Sequence, residues 1–174
     1  MLFILDRMKV HLRDSGVRHD FVNAVRFPTG VAAEDDLVRL LARVDALQKF
    51  LATEDGENLL VAYRRASNIV RIEEQRDKQH YDGGIDNAFL KEPAERELNR
   101  ALDESAAAAE RALTEENFEA AMAALASLRG SVDGFFDRVT VNSEDAALRA
   151  NRLRLLSRIR ATMNQVADFS QIEG

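Results

Sequence analysis

The chain has 174 residues, the scale of one domain or of one domain with a piece of a neighbour. Nearly half of the residues are hydrophobic, so a core can form, and two prolines, eight glycines and an excess of Ala, Leu, Arg and Glu favour helix over sheet. The lack of cysteine excludes disulfides and thiolate metal sites, no apolar run approaches the ~20 residues of a membrane span, and the net charge of −6 argues against a uniformly basic nucleic-acid binder.

Met1, Ile4, Leu5, Met8 and Leu12 already share a helical face with no N-cap ahead of them. Residues 1–30 are therefore expected to be a helical segment continuing from an upstream domain, and residues 31–174 the helical domain proper. The first helix should run to about residue 14, stopped by Gly16. A short second helix over 20–26 ends at the turn Phe27-Pro28-Thr29-Gly30. Glu34, Asp35 and Asp36 suit the positive end of a third helix, whose stripe is Leu37, Leu40, Leu41, Val44, Leu47 and Leu51.

Thr53 is the expected N-cap of a fourth helix, which buries Leu59, Leu60, Tyr63, Ala66 and Val70 despite an early Gly56. Residues 75–86 are polar and contain Asp82-Gly83-Gly84, an exposed loop. Pro93 fits the first turn of a fifth helix reaching about residue 113. Thr114 is placed as the cap of a sixth, with Phe118, Ala121, Met122 and Leu125 facing inward. Residues 130–142 break the pattern and hold Val132, Phe135, Phe136, Val139 and Val141. Ser143 is placed as the cap of a last long helix to about residue 166, which the tail Asp168-Phe169-Ser170-Gln171-Ile172 leaves. There is no internal repeat, and the expected fold class is all-α, a helical bundle of about seven helices with short connections.

Charge is distributed unevenly. Residues 92–119 hold nine acids against three arginines, whereas residues 146–167 hold five arginines and no acid. A polyanion responds to that local field more than to the sum.

One block is specific enough to suggest a family. Val132-Asp133-Gly134-Phe135-Phe136-Asp137-Arg138-Val139 leads into Asp145-Ala146-Ala147-Leu148-Arg149-Ala150-Asn151-Arg152-Leu153, and the chain closes on Val166-Ala167-Asp168-Phe169-Ser170. This order resembles the DALR-type anticodon-binding domain of class I synthetases such as the arginyl enzyme, and most closely that region of bacterial tetrameric glycyl-tRNA synthetase beta subunits. Tyr63-Arg64-Arg65-Ala66-Ser67-Asn68-Ile69 and Leu5-Asp6-Arg7-Met8-Lys9 are similar to two further helices of that family, each weak alone. Nothing is carried over to residues 82–92, which match poorly.

The resemblance implies a DALR-like, non-catalytic tRNA-binding module, probing the anticodon side of tRNA(Gly). It implies an α subunit carrying the class II catalytic core, a heterotetramer, a cytoplasmic setting, and ATP and Mg2+ used by the holoenzyme with no cofactor in this region. No membrane and no DNA are expected as partners. The rival expectation is a protein-interaction domain docking on the α subunit or the rest of β, with the acidic residues 92–119 as its surface.

Helical geometry sorts the arginines of the last helix. At about 100° per residue, Leu148, Leu155, Leu156, Ile159, Met163 and Val166 share one face, and Arg152 falls in its middle. A buried arginine needs a carboxylate, and Asp137, or else Asp133, is the expected partner in a structural ion pair. Asn151, Arg154 and Arg158 lie on the opposite flank, free for phosphates or base edges. Arg149 and Arg160, at the edge of the stripe, suit either role. On the fourth helix Arg64, Asn68 and Arg71 come together at i, i+4 and i+7, an arrangement able to hold phosphate around a splayed base, while Arg65 points elsewhere. Both sets equally describe ordinary solvated faces, and the resemblance is what tips the last helix towards RNA. Phe135 and Phe136 read as core rather than as base-stacking rings.

Other chemistry is missing from the pattern. There is no Gly-rich phosphate loop and no zinc-ligand spacing among His11, His19 and His80. His19-Asp20 spells a dipeptide of metal-dependent phosphohydrolases, but the neighbouring ligands such a site needs are absent, and no metal site is expected.

Overall fold

The computed structural model describes residues 7, 10, 12, 14, 16–26 and 34–174. Among them the secondary structure is helical throughout: α1 (His19–Arg26), α2 (Leu37–Leu51), α3 (Glu54–Asp77), α4 (Pro93–Thr114), α5 (Phe118–Ala126), α6 (Arg129–Arg138) and α7 (Ala146–Asn164), with short 3-10 turns at Asn87–Phe89 and Phe169–Gln171. The expected turn at residues 27–30 and the boundary at residue 30 lie outside the described residues, as does the segment 5–9 apart from Arg7. Gly16 takes the left-handed φ of +77° that a stop after a helix requires, and Val17 N–H donates to Leu12 C=O across it at 3.0 Å.

Local chemistry accounts for most element ends. The Asp36 carboxylate accepts from Val38 and Arg39 N–H at 2.9 and 3.1 Å, satisfying two donors at the start of α2. Thr53 caps α3 as its sequence predicts, accepting from Gly56 N–H at 3.1 Å. Gly56 is demanded by packing: a Cβ there would lie 1.9 Å from the Phe50 carbonyl oxygen. Pro93 opens α4, and Glu95 reaches back to accept from Glu92 N–H at 2.7 Å.

Two caps differ from expectation. Thr114 is the last residue of α4, its hydroxyl donating to Glu110 C=O, and Asn117 caps α5 by accepting from Ala120 N–H at 3.0 Å. Asp145, not Ser143, caps α7 through Ala147 and Leu148 N–H; Ser143 instead accepts from Asp145 N–H. Residues 129–138 also form a helix, despite Gly130 and Gly134, because Val132 and Phe135 on one face are driven into the core.

α7 is the centre of the bundle, packed on α3 and α4, while α5 and α6 cover α4 and α2 packs on α3 and α5. Leu98, Leu102, Leu125, Leu128, Phe135, Leu153, Leu155, Leu156, Ile159 and Met163 are fully buried around it. The C-terminal turn closes the other end. Phe169 packs against Phe50 and Tyr63, with ring centroids 6.2 and 5.8 Å apart, and Asp168 N–H donates to Ala24 C=O of α1 at 2.8 Å. Leu37 and Leu41 of the expected α2 stripe remain exposed, as does Val38; Leu40, Val44, Leu47 and Phe50 carry the contact.

Candidate nucleic-acid interface

Because α7 runs through the middle of the bundle, one of its flanks surfaces only in a groove between the loop 82–87 and α4. The groove encloses about 940 Å³. Arg154, Arg158, Arg160, Asn164 and Gln165 enter it from α7, Asn99 and Asp103 from α4, and Asp82, Gly83 and Gly84 from the loop. Three of the five arginines of residues 146–167 thus converge on one concave surface.

Their bonding states differ. Arg158 is held in place: Nη1 donates to Asn99 Oδ1 at 2.7 Å and Nη2 pairs with the Asp103 carboxylate. Arg154 and Arg160 make no hydrogen bond or ion pair among the described residues. Arg154 lies along Gly83, where a Cβ would come to 3.4 Å from its Nε. Asn164 uses its oxygen to accept from the Tyr63 hydroxyl at 3.0 Å and from Phe169 N–H at 3.3 Å, and Gln165 donates to Ala106 C=O at 3.3 Å. The buried Ser157 hydroxyl, on the groove wall, has no hydrogen-bond partner among the described residues. Half-buried guanidinium groups with free donors beside fixed amides form a surface suited to phosphate oxygens and polar base edges.

The structure redistributes the residues expected to meet RNA. Arg154 and Arg158 are in the groove. Asn151 is not: it is 0% exposed, accepting from Asp86 N–H at 2.9 Å and donating to Asp86 C=O at 3.0 Å. Its amide matches a backbone unit as a second strand would, and so pins the loop 82–87 over α7. Arg64 is turned to the C-terminal tail, donating to Ile172 C=O at 2.9 Å and to Gly174 C=O. Asn68 and Arg71 are exposed and bonded to each other, Arg71 Nη2 to Asn68 Oδ1 at 2.8 Å.

The ion pair also differs. Arg152 is buried, as its place on the apolar face predicts, but it does not meet Asp137. Its Nε donates to Glu95 Oε1 at 2.7 Å and its Nη1 to Thr140 C=O at 2.8 Å, while Asp137 is exposed. A sequence signal for Glu95 existed: Glu95, Leu98 and Leu102 follow the i, i+3, i+7 spacing of one buried face. Arg149, left open by the sequence, is structural. It pairs with Glu73 and with Asp77 at 2.6 Å, and donates to the Tyr81 hydroxyl at 3.2 Å. Burial opposes its charge, but these bonds outweigh that and hold its pKa above the usual arginine value. The Tyr81 hydroxyl, donating at 2.7 Å, and Arg149 hold the Asp77 carboxyl below the usual range.

Five acids of the acidic stretch pair with bases of the same chain, Glu95 on Arg152 in the core and Asp103 on Arg158, Glu104 on Arg100, Glu116 on Arg39 and Glu119 on Lys49 at the surface. Asp20 is likewise committed, to Arg18 and to Glu173 N–H. Among the described residues no His, Asp and Glu cluster could hold a metal ion, and no described helix is long and apolar enough to cross a membrane. His11 lies outside the described residues.

Comparison with known proteins fits this architecture to a family. The family described as DALR anticodon binding domain matches residues 59–173, from within α3 to the C-terminal tail. The chain belongs to that family. It is 59% identical over 173 residues to the glycine–tRNA ligase beta subunit of Rhodospirillum centenum, covering 99% of this chain and 24% of that protein. It is 49% identical over 172 residues to the glycine–tRNA ligase beta subunit of Dinoroseobacter shibae, with 99% and 24% covered, and 46% identical over 172 residues to that of Ruegeria sp., with 99% and 25% covered. The chain thus spans about a quarter of the length of these relatives. The matched residues contain the whole groove of this DALR domain and both walls of the Arg152–Glu95 pair, whereas α1 and α2 fall outside them.

Proposed function

We propose that this DALR domain is the anticodon-side tRNA-binding module of a glycine–tRNA ligase beta subunit. The observation that carries the reading is the groove in which Arg154 and Arg160 present unpaired guanidinium groups beside a fixed Arg158. Phosphate contacts there would position tRNA(Gly), and the amides of Asn164 and Gln165 would meet exposed base edges. The domain itself is non-catalytic in this reading. ATP and Mg2+ act at the α subunit of the heterotetramer, in the cytoplasm, and neither DNA nor a membrane is a partner. The family and the names of the relatives support the assignment of substrate and assembly.

A salt-dependent titration of the chain with a tRNA(Gly) transcript and a non-cognate tRNA tests this. Tighter cognate binding that weakens steeply with salt is expected. Absence of binding to either RNA at low salt overturns the reading.

A second reading, docking on the α subunit or the rest of β, has one observation in its favour. Leu37, Val38 and Leu41 leave an apolar patch on the first turns of α2, with Val38 78% exposed. The acidic residues 92–119 support it less, since most of them already have basic partners. Co-purification of the α subunit with wild-type chain but not with Val38→Glu would favour it.

A further inference from the structure

A second concave surface lies apart from the groove and shares no residue with it. It encloses about 360 Å³ between α3 and the end of α6, lined by Arg65, Ile69, Ile72, Phe136, Val139 and Val141 among others. Phe136 packs against the core, as expected, but at its edge. Its neighbour Phe135 is fully buried, and the two rings meet edge to face at 5.8 Å and 75°, but Phe136 itself is only half-buried. Over that ring stands the Arg65 guanidinium, its carbon 4.3 Å from the centroid.

Arg65 is exposed and makes no hydrogen bond or ion pair among the described residues. The carboxylate on this surface, Glu73, is buried and already bound by Arg149 and Arg76, so it does not neutralise Arg65. The next cation on the Arg65 face of α3, Arg76, is itself paired with Glu73. The surface is therefore an aromatic ring, an unneutralised planar cation over it, and apolar walls that include Ile72 at 45% exposure. Guanidinium planes and aromatic rings are the side chains on which unpaired bases stack. An apolar protein segment would fit the walls but would leave the Arg65 cation without a counter-charge, which a nucleic-acid backbone supplies.

We propose that Arg65 and Phe136 form a stacking platform for an unpaired RNA base. This rests on the tRNA-binding reading above and adds to it a site outside the groove. A base stacked there is held by planarity rather than by charge. The platform therefore predicts a sensitivity to shape that a phosphate contact lacks.

The test compares Arg65→Lys and Phe136→Leu in a titration of the chain with the tRNA(Gly) transcript at several salt concentrations. Arg65→Lys keeps the charge and removes the plane; Phe136→Leu keeps apolar volume and removes the ring. Each is expected to weaken binding by about tenfold, the lower range for loss of one stacked base, with the salt slope unchanged. Wild-type affinity in both, while Arg154→Ala with Arg160→Ala binds weakly, overturns the platform and leaves the groove reading standing. Full affinity of Arg65→Lys with weakening only in Arg65→Ala makes Arg65 a phosphate contact, which also overturns it. No binding by the wild-type chain overturns both. Should Phe136→Leu lower the melting temperature appreciably, the surface variant Arg65→Lys decides alone.

Discussion

Arg152 of α7 and Glu95 of α4 form a buried ion pair, Nε to Oε1 at 2.7 Å, between residues 57 positions apart in the chain. Glu95 is 0% exposed and also holds Glu92 N–H, while Arg152 also holds Thr140 C=O. One pair thus fixes the start of α4, the start of the α6–α7 connection and the register of α7, on which the groove arginines depend.

Removing one member should leave a buried, uncompensated charge. Arg152→Met and Glu95→Leu are each expected to cost about 3–5 kcal/mol of stability in urea unfolding. The double variant should recover most of that loss, because an apolar pair replaces an ionic one. Asp137→Ala, at an exposed position with no such partner, should change stability by less than about 0.5 kcal/mol. An equal loss in Asp137→Ala would overturn the assignment of the pair.

Asn151→Ala should act on the loop rather than on charge. It leaves the Asp86 N–H and C=O without their partner and is expected to cost about 1–3 kcal/mol. Hydrogen exchange at residues 82–87 should accelerate. Any loss of tRNA affinity should come without a change in the salt slope, since every cation that could meet a phosphate is still present.

The groove arginines should separate by their bonding. Arg154→Ala with Arg160→Ala is expected to weaken tRNA binding and to flatten the salt dependence by roughly 1.5, about 0.7–0.9 for each phosphate that is no longer neutralised. Arg158→Ala should have a smaller effect, because Asp103 already neutralises that arginine. Unchanged affinity in the double variant removes the groove from the interface.

Acid sensitivity should follow the depressed carboxyls. Asp77 is held below its usual pKa by the Tyr81 hydroxyl and Arg149; for Asp20, burial acts upward but is outweighed by Arg18 and backbone donors. A carboxyl lowered in the folded state binds fewer protons than in the unfolded chain. Its stabilisation is complete above the unfolded value of about 4 and is lost as pH falls below it, through the folded value. The melting temperature should be flat from about pH 5 to 8 as far as these groups are concerned and drop below about pH 4, less steeply in Asp77→Asn.

Much of this molecule was written locally. Helical spacing of apolar residues, the Thr53 cap, Pro93 at a helix start and Gly16 past a helix end are nearest-neighbour chemistry, so they could be read without a fold. The motif block from Val132 to Leu153 carried the family, and the apolar face of the last helix showed that Arg152 must be buried. What no helical wheel contains is the neighbour. Asn151 and Arg154 lie on one flank of α7, yet one is sealed under the loop 82–87 and the other opens into the groove. Glu95 rather than Asp137 meets Arg152, and Phe136 is half-covered beside a fully buried Phe135. Periodicity sets the angle at which a side chain leaves its helix; only long-range packing decides whether a carboxylate, a backbone loop or solvent lies along that direction.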